Sequence, residues 1–499
     1  MRTFSESEHV LINRLARLFD FRPTSFFYGI VLVFIALNCW LLTKEVFLLP
    51  ILPVIVLILF AVLVALDKLV YFILFFTPFS LTVEFSEFAA LTLPTEPLLF
   101  GVMLVFIFRL LYEGGFDWKI IKHPITITII CMLLWMTITS LTSSMPLVSI
   151  KYTIARLWFV ISFYFVATQI FRNKENIRFW IWIFTIPLSI VIIYSIFQFF
   201  HYNIEKDALY WVMQPFFKDH TIYGAVIAMM LPIMFVFAFD KSYNAQTRLA
   251  SLLFFTVILI GIILSFTRAA WLSIVLAYGV YLIFLFKINW RIIVLGLIVI
   301  TSILIIYKDP IAEKIASNKQ SSSKDISKHL KSVSNIKNDA SNLERINRWK
   351  SAIRMFNDRP LVGFGPGTYR FQYAPYQRSY EQTYVSTNSG SLGNAHSEYL
   401  SPLAETGLIG ALIFVVLIVL TVRTGRSLYI NAKSQEIKFL SIGILLGLYT
   451  YYFHGFLNNF LDQDKASAPF WSMIAILVAL DVYHNQKEDT VQVENNLEQ

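Results

Sequence analysis

Apolar runs separated by short polar segments extend along most of the chain. A helix that crosses a membrane needs about 20 mostly apolar residues, and runs of about that length predict fourteen spanning helices. The third and fourth runs are short, which leaves twelve or thirteen spans open. The predicted spans are residues 25–42, 46–66, 69–83, 97–112, 125–142, 153–170, 178–200, 221–240, 249–266, 269–287, 291–307, 401–422, 436–456 and 468–484. We therefore expect an all-α polytopic membrane protein with about 12–14 transmembrane helices.

The spans divide the 499-residue chain into five parts. A polar segment, 1–24, precedes the first eleven spans, 25–307. One long polar loop, 308–400, separates these from the last three spans, 401–484, and a polar tail, 485–499, follows. The composition agrees with this division, because 57% of the residues are apolar and 15% are charged, whereas soluble domains average about 45–50% and about 25%.

The net charge of +9 is explained by where the basic residues lie. With the N-terminus inside, Lys and Arg concentrate in the cytoplasmic segments, and the first outer loop with several charges is acidic (Glu84, Glu87 and Glu96). The short loops therefore follow the positive-inside rule, from which long loops are exempt. We expect both termini in the cytoplasm, the long loop on the outer face, and no nucleic-acid partner.

The second part of the long loop has the pattern of a helix. Ser341 and Glu344 have the spacing of a capping box, and Pro360 ends the helical pattern. Arg345 and Arg348 fall off the apolar stripe that the helical period produces. The stripe consists of Leu343, Ile346, Trp349, Ile353 and Phe356. A turn with Gly363, Gly365 and Gly367 follows, but no Lys-Ser or Lys-Thr pair comes after it, so it is not a phosphate-binding P-loop.

Two residues next to predicted spans could carry chemistry. His396, in the segment Asn394 to Leu400, precedes a span and can accept a proton near neutral pH, as a general base does. The alternative is an interfacial histidine that caps a membrane helix. Arg268 separates two nearly continuous apolar runs, and its guanidinium could bind phosphate oxygens. The alternative is an arginine that only anchors the helix ends at the interface.

Three arginines of the loop helix add positive charge on the same face. Taken singly, Arg345, Arg348 and Arg354 are typical of a solvated helix surface. Taken together, they lie on the side of the membrane that is predicted to carry Arg268 and His396. This concentration of charge favours an anionic ligand there.

These stretches, in their order along the chain, resemble motifs of the O-antigen ligase and O-antigen polymerase superfamily of bacterial membrane enzymes. The ligases carry a histidine, then Asn, Ser or Gln, nine residues, a glycine, two residues and a small residue. His396-Ser397 is followed at this spacing by Gly407 and Gly410. The Thr-Arg-Ala-Ala-Trp segment and the segment from the loop arginines to the Gly-Phe-Gly-Pro-Gly-Thr turn also resemble family motifs. The resemblance covers residues 255–460.

The resemblance implies a GT-C-like glycosyltransferase in the bacterial cytoplasmic membrane, with its active site on the periplasmic or outer face. Its donor would be a glycan on undecaprenyl pyrophosphate, and its acceptor a lipid A-core or another glycan. Arg268 and one of Arg345 or Arg348 would stabilise the pyrophosphate leaving group. His396 would accept the proton of the acceptor hydroxyl or orient it, and direct displacement would invert the anomeric centre. The family is thought to work without metal, so we expect neither a cofactor nor a metal site.

The role within the superfamily stays open at this point. The histidine pattern favours a ligase over a polymerase that joins repeat units, and a relative acting on exopolysaccharide is a third possibility. A transporter or flippase of the same lipid-linked glycan is the rival from another class. Transporters usually show inverted repeats and broken helices, and the sequence shows no sign of either.

Further residues are candidates for a substrate cavity. Asn394, Glu398 and Tyr369 lie in the long loop, and His454 lies near the outer end of a span, close to Asn458 and Asn459. Tyrosines at steps of three or four residues could stack on acceptor sugars or form an interfacial aromatic belt. These are Tyr369, Tyr373, Tyr376, Tyr380 and Tyr384. Asp462-Gln463-Asp464 has the spacing of a divalent-cation site, but the tripeptide is common and we predict no metal there.

Overall fold

The computed structural model describes residues 66–86, 89–202, 211–286, 340–382 and 393–485, together with positions 33–35, 37, 38, 288, 291, 295, 302 and 386. These residues are mostly helical, and nine of their helices are long and apolar enough to cross a membrane. The prediction of an all-α polytopic membrane protein is therefore confirmed. Most of the predicted spans 25–42 and 291–307, nearly all of 46–66, the N-terminal segment, the tail after Asn485 and the first part of the long loop lie outside the described residues.

The helices follow the predicted spans closely where the structure describes them. The helices before the long loop are α1 Leu66–Phe76, α2 Thr95–Arg109, α3 Trp118–Ile121, α4 Pro124–Leu141, α5 Pro146–Ile170, α6 Lys174–His201, α7 His220–Phe239, α8 Ala245–Leu264 and α9 Arg268–Leu285. The long loop contains α10 Ala340–Asp358 and α11 Tyr369–Gln372, and the last three helices are α12 Leu400–Asn431, α13 Gln435–His454 and α14 Asp464–Ala479. Within α5, Ile161–Val166 forms a π-helical turn.

The third predicted span is wrong in its extent. Helix α1 ends at Phe76, and a 3-10 turn, Thr77–Phe79, leads into an antiparallel hairpin of β1, Leu81–Ser86, and β2, Ala89–Leu93. The run 69–83 is apolar enough for one helix, but from Leu81 onwards polar and apolar residues alternate with the period of a strand. Hydropathy alone does not distinguish these two periods.

A buried polar cluster holds the base of this hairpin on α14. The Asp464 carboxylate accepts hydrogen bonds from the hydroxyls of Ser80 and Thr95, each at 2.7 Å. The Lys465 ammonium donates to the Ser80 carbonyl oxygen at 2.8 Å. The Asp464 carboxylate, which could have served a metal site, is thus engaged in joining the hairpin to the start of α14. The part of the chain that the structure describes contains no group of three or more His, Cys, Asp or Glu side chains suited to hold a metal ion.

Helices α7 and α14 lie at the centre of the bundle. In each, 89% of the membrane-spanning window is buried, against 22% for α8 and 17% for α9. Glycines bring the central helices close together, because a Cβ on Gly447 of α13 would lie 2.5 Å from the Met229 carbonyl oxygen of α7. The core therefore forms around α7, α13 and α14, while α8 and α9 are peripheral.

The loop helix α10 forms in the predicted segment, and its buried side is partly polar. That side carries Glu344, Arg348, Ala352 and Met355, whereas Ile353 of the apolar stripe is 45% exposed. The remaining stripe residues are half-buried. The buried side of α10 thus combines apolar packing with an ion pair, in which Arg348 Nε donates to Glu344 Oε1 at 2.7 Å.

Candidate functional site

The long loop is joined to the membrane bundle where α12 is broken. Gly407 has φ 70° and ψ −169°, which interrupts the helix about two turns after its start at Leu400. Backbone groups freed by the break bond to the loop: Phe364 N–H donates to the Ala404 carbonyl oxygen at 3.1 Å, and Leu408 N–H donates to the Pro360 carbonyl oxygen at 2.8 Å. The loop turn that contains Gly363 and the helix break at Gly407 therefore form the two sides of one junction.

Close backbone contact explains why this junction uses glycine. A Cβ on Gly363 would lie 2.4 Å from the Glu405 carbonyl carbon, and one on Gly407 would lie 2.2 Å from the Leu361 carbonyl oxygen. Both residues also have positive φ, which other residues adopt at a cost. The glycine at position 407 is thus a packing requirement of this junction.

We expect Gly407→Ala to lower the stability of the protein by about 1–3 kcal/mol, because the methyl group meets a backbone oxygen and the backbone conformation is strained. The midpoint of thermal unfolding in detergent would measure the loss. Gly279→Ala is the matched control, since a Cβ on Gly279, in α9, meets no atom within 4 Å. Equal midpoints for the two variants would contradict this account of the junction.

His396 is held in an unusual backbone conformation. Its φ is 48°, and Phe266, two residues before Arg268, is the other non-glycine residue with positive φ among those the structure describes. The His396 N–H donates to Asn394 Oδ1 at 3.0 Å, and Trp349 Nε1 donates to the His396 carbonyl oxygen at 3.2 Å. Strained non-glycine residues concentrate at functional sites, where surrounding contacts maintain them.

The surroundings of the His396 ring keep it uncharged. Burial, followed by the charges of Arg348 and Arg345, lowers the pKa of His396 to about 3, and a side-chain hydrogen bond with Asn458 opposes this shift. A neutral imidazole can accept a proton, so the ring is in the form that a general base requires.

The two candidate arginines of α10 have different surroundings. Arg348 is buried, bonds Glu344, donates to the Asn394 carbonyl oxygen at 3.1 Å and lies over the Tyr373 ring at 5.0 Å. Arg345 is half-buried and acts electrostatically on three histidine rings. These are His220, His396 and His454. Arg348 therefore supports the segment before His396, while Arg345 faces the group of histidines.

Arg268 begins α9 in a turn that is fixed to α7. The Thr267 hydroxyl donates to the His220 carbonyl oxygen at 2.8 Å, and Trp271 Nε1 donates to the Ile262 carbonyl oxygen at 2.8 Å. Arg268 and Arg345 both act electrostatically on the His220 ring. Arg345 acts on both His220 and His396, so Arg268, Arg345 and His396 form one cluster around these histidines, and their roles stay a prediction.

Asn394 and Glu398 connect the His396 segment to the loop between α13 and α14. Asn394 Nδ2 donates to the Asn459 carbonyl oxygen at 3.1 Å. Glu398 Oε1 accepts from the Tyr451 hydroxyl at 2.6 Å and from the N–H groups of Phe460 and Leu461 at 2.7 and 3.0 Å. Burial raises the pKa of Glu398 despite these bonds and the charge of Arg156. Both residues hold two loops together at the site.

Two residues predicted to line a substrate cavity are buried. Tyr369 is 1% exposed, stacks on Tyr373 and donates from its hydroxyl to the Arg348 carbonyl oxygen at 2.8 Å, so it packs in the core of the long loop. His454 is 1% exposed, and its Nε2 lies 3.2 Å from Nδ2 of Asn458. A cavity-lining role for these two residues stays a prediction. Tyr384 lies outside the described residues.

Sequence reasoning missed Arg156 and His220. Arg156 lies within the apolar run of α5, donates to the Tyr152 hydroxyl at 3.1 Å and lines a cavity of about 60 Å³ beside Glu398 and Glu405. The argument from an arginine at membrane depth, applied to Arg268, would have identified it. His220 begins α7 after Asp219, and only the tertiary structure brings it to Arg268.

One comparison with known proteins identifies a family. Residues 252–415 match the protein family described as O-Antigen ligase. The matched segment includes Arg268, Arg345, Arg348 and His396, and it ends before His454. Comparison with curated proteins gives no significant match. The chain is therefore a membrane protein that carries, at residues 252–415, a domain of the O-antigen ligase and polymerase superfamily, as its motifs indicate.

Proposed function

We propose that this protein is a glycosyltransferase that moves a glycan from an undecaprenyl-pyrophosphate carrier to an acceptor hydroxyl on the outer face of the bacterial cytoplasmic membrane. In this proposal it acts as an O-antigen ligase, with a lipid A-core as acceptor, and inverts the anomeric centre without a metal. Both termini lie in the cytoplasm. The observation that carries the proposal is the cluster of Arg268, Arg345 and the uncharged His396 at the junction of the loop with the bundle.

The charge of the cluster fits a pyrophosphate leaving group. Negative charge grows on the pyrophosphate as the C1–O bond breaks, and fixed guanidinium groups stabilise such charge without reorganising. We assign this role to Arg268 and Arg345. Arg348 is excluded from it, because its guanidinium already bonds Glu344 and Asn394 in a buried position.

His396 is assigned as the general base. Its uncharged ring lies beside the arginines, so an acceptor hydroxyl aligned with C1 can transfer its proton to the imidazole. Binding of the anionic donor offsets the charge of Arg345 and thereby raises the basicity of His396 when the acceptor reacts.

Two rival functions are kept as outcomes of one experiment. A polymerase would use the same groups to join repeat units on their own carrier. A transporter would move the lipid-linked glycan without breaking a bond, and the break in α12 is a feature that transporters share. Backbone hydrogen bonds to the loop close that break. They support an active site that is fixed on one side of the membrane rather than a site that alternates between the two sides.

The experiment measures glycan transfer in proteoliposomes that contain purified protein, undecaprenyl-pyrophosphate glycan and candidate acceptors, with EDTA present. We expect product from the wild-type protein, with a single glycan added to a lipid A-core for a ligase and a ladder of lengths for a polymerase. Lipid translocation without product would instead indicate a transporter. Activity that EDTA abolishes would contradict metal-independent catalysis and direct attention to Asp462.

A further inference from the structure

One side of the loop helix α10 carries apolar residues that the protein leaves partly uncovered. They are spaced by three or four positions, as residues on one helix face are. These residues, which we call the outward face of α10, are Ile346, Trp349, Ile353 and Phe356. Ile353 is 45% exposed and the other three are half-buried, whereas Met355, on the opposite side of the helix, is fully buried. The exposed part of such a face is typical of contact with an apolar partner.

The charged side chains near this face lie on its edges. Lys350 and Arg354, four residues apart, both bind Glu381, at 3.1 and 2.6 Å. The loop around Glu381 thereby covers one edge of the outward face. Arg345, about one turn before Trp349, lies at the other edge. An apolar strip between charged edges is the pattern of a helix that lies in the membrane interface.

The turn after α10 adds a further exposed apolar residue next to α12. Leu361, in this turn, is 64% exposed. Its carbonyl oxygen lies against Gly407, and the Leu408 N–H donates to the Pro360 carbonyl oxygen at 2.8 Å. Leu408 is itself exposed on the membrane-spanning helix α12. Leu361 therefore lies beside the side of α12 that faces lipid.

The length of α12 indicates how deep this contact lies. The uncharged stretch after the break, from Leu408 to Val422, is about 22 Å long and ends at Arg423. The hydrocarbon core of a bilayer is about 30 Å thick. With Arg423 at one boundary, the core extends about 8 Å past Leu408 towards the long loop. Leu408 and the neighbouring Leu361 are therefore at the depth of the acyl chains.

The backbone of the turn is suited to this depth. Irregular backbone in the hydrocarbon region has to bond to protein, because water is absent there. The Gly363 N–H donates to the Arg359 carbonyl oxygen at 3.0 Å, and the Gly365 N–H donates to the Glu405 carbonyl oxygen at 2.8 Å. The exposed Arg359 guanidinium lies 4.7 Å from the centre of the Phe364 ring. A long basic side chain at this position can reach the phosphates of the membrane surface.

We propose that the outward face of α10 and Leu361 dock the long loop in the outer leaflet of the membrane. The partner is bulk phospholipid, with acyl chains against Ile353 and Leu361 and a headgroup phosphate at Arg359. The continuity of this surface with the lipid-facing side of α12 at Leu408 supports this partner. Docking at this depth keeps Arg345 close to the level of the lipid phosphates, where the pyrophosphate of a lipid-linked donor also lies. The choice of leaflet and this consequence rest on the proposed function, whereas the contact with lipid does not.

The test measures lipid contact with nitroxide spin labels on single cysteines of the full-length chain. The labels are attached through Ile353→Cys and Leu361→Cys, in a background with Cys39→Ser and Cys131→Ser. The protein is placed in liposomes of phosphatidylethanolamine and phosphatidylglycerol, with a water-soluble nickel chelate on both sides. Oxygen concentrates in lipid and the chelate stays in water, so we expect oxygen alone to relax both labels.

Two exposed positions provide the controls. Leu412→Cys, on the lipid-facing side of α12, should respond to oxygen alone, as the two test positions should. Tyr380→Cys, beside Glu381 in the loop, should respond to the chelate. Both test residues are exposed, so cysteine removes little packing, and Leu361→Cys decides alone if Ile353→Cys does not fold.

Relaxation of both labels by the chelate, to the extent measured at Tyr380→Cys, would overturn the docking of the loop in lipid. Labels that respond to neither reagent would overturn it as well, because protein, such as a second copy of the chain, would then cover the face. Oxygen contact that appears only after undecaprenyl-pyrophosphate glycan is added would assign the surface to the polyprenyl chain of the donor, against the proposal. The labels do not report transfer, so each of these results leaves the proposed function to its own test with His396→Ala.

Discussion

Replacing His396 with alanine should lower kcat for glycan transfer by about 10²–10⁴-fold, the usual contribution of a general base. The uncharged ring lies beside Arg345, and the His396 backbone is fixed by Asn394 and Trp349. The transfer assay in proteoliposomes measures the loss. His201→Ala is the matched control, since His201 is an exposed histidine at the end of α6. A His396→Ala rate within about threefold of wild type would reject the assignment.

The pH dependence of the same reaction provides a second readout. A base must be uncharged, and the pKa of His396 is lowered to about 3, so its base form is present throughout the range of about pH 5 to 8. We expect kcat/KM for the donor, which reports the free enzyme, to show no limb from His396 in that range. Because the bound pyrophosphate raises the pKa of His396, the acidic limb of kcat should lie at higher pH than that of kcat/KM. An acidic limb in the kcat/KM profile near the ordinary histidine pKa would contradict this expectation if the limb is lost in His396→Ala.

The second large effect separates Arg345 from Arg348. Arg348→Ala leaves Glu344, which is 5% exposed, as a buried carboxylate that has lost its guanidinium partner. Removing one partner of a buried ion pair costs about 3–5 kcal/mol. We expect this variant to unfold at a markedly lower temperature. Arg345→Ala should lower the thermal midpoint less than Arg348→Ala, because Arg345 is only half-buried. It should lower kcat by about 10²–10³-fold, as the loss of one group that stabilises developing negative charge does.

Thermal midpoints and transfer rates of both variants provide the measurement. The double change Glu344→Leu with Arg348→Leu is the control, because apolar replacement of a whole buried pair is often neutral. It should recover part of the stability that Arg348→Ala loses. Equal losses of stability for Arg345→Ala and Arg348→Ala would show that both arginines support the loop, and would leave Arg268 as the proposed phosphate ligand.

The positions of the helices could be predicted because each depends on a local property. The run of apolar residues that forms α7 is visible in the sequence, and so are Pro360 and the helical period that define α10. The hairpin after α1 could not be predicted from hydropathy, because the apolar run 69–83 includes its first three residues and hydropathy does not register the strand period that begins at Leu81.

The site was predicted in part, for a physical reason. Histidine and arginine beside a span are unusual enough to be noticed, so His396 and Arg268 were found. The different roles of Arg345 and Arg348 could not be predicted, because Arg348 bonds the carbonyl oxygen of Asn394, which lies 46 residues further along the chain. Arg348 is also buried together with its ion-pair partner Glu344. His220 comes to the site through the packing of α7, which no local pattern encodes.

The break in α12 also determines how the protein can respond to membranes of different thickness. Helices adjust to a thicker or thinner bilayer by tilting. The first turns of α12 are bonded to the loop through Phe364 and Gly365, and Leu408, directly after Gly407, is bonded to the loop through Pro360. Because both sides of the break are tied to the loop, a change in the tilt of α12 moves the loop with it, so that His396 keeps its distance from the loop arginines while the bundle adapts to its lipid.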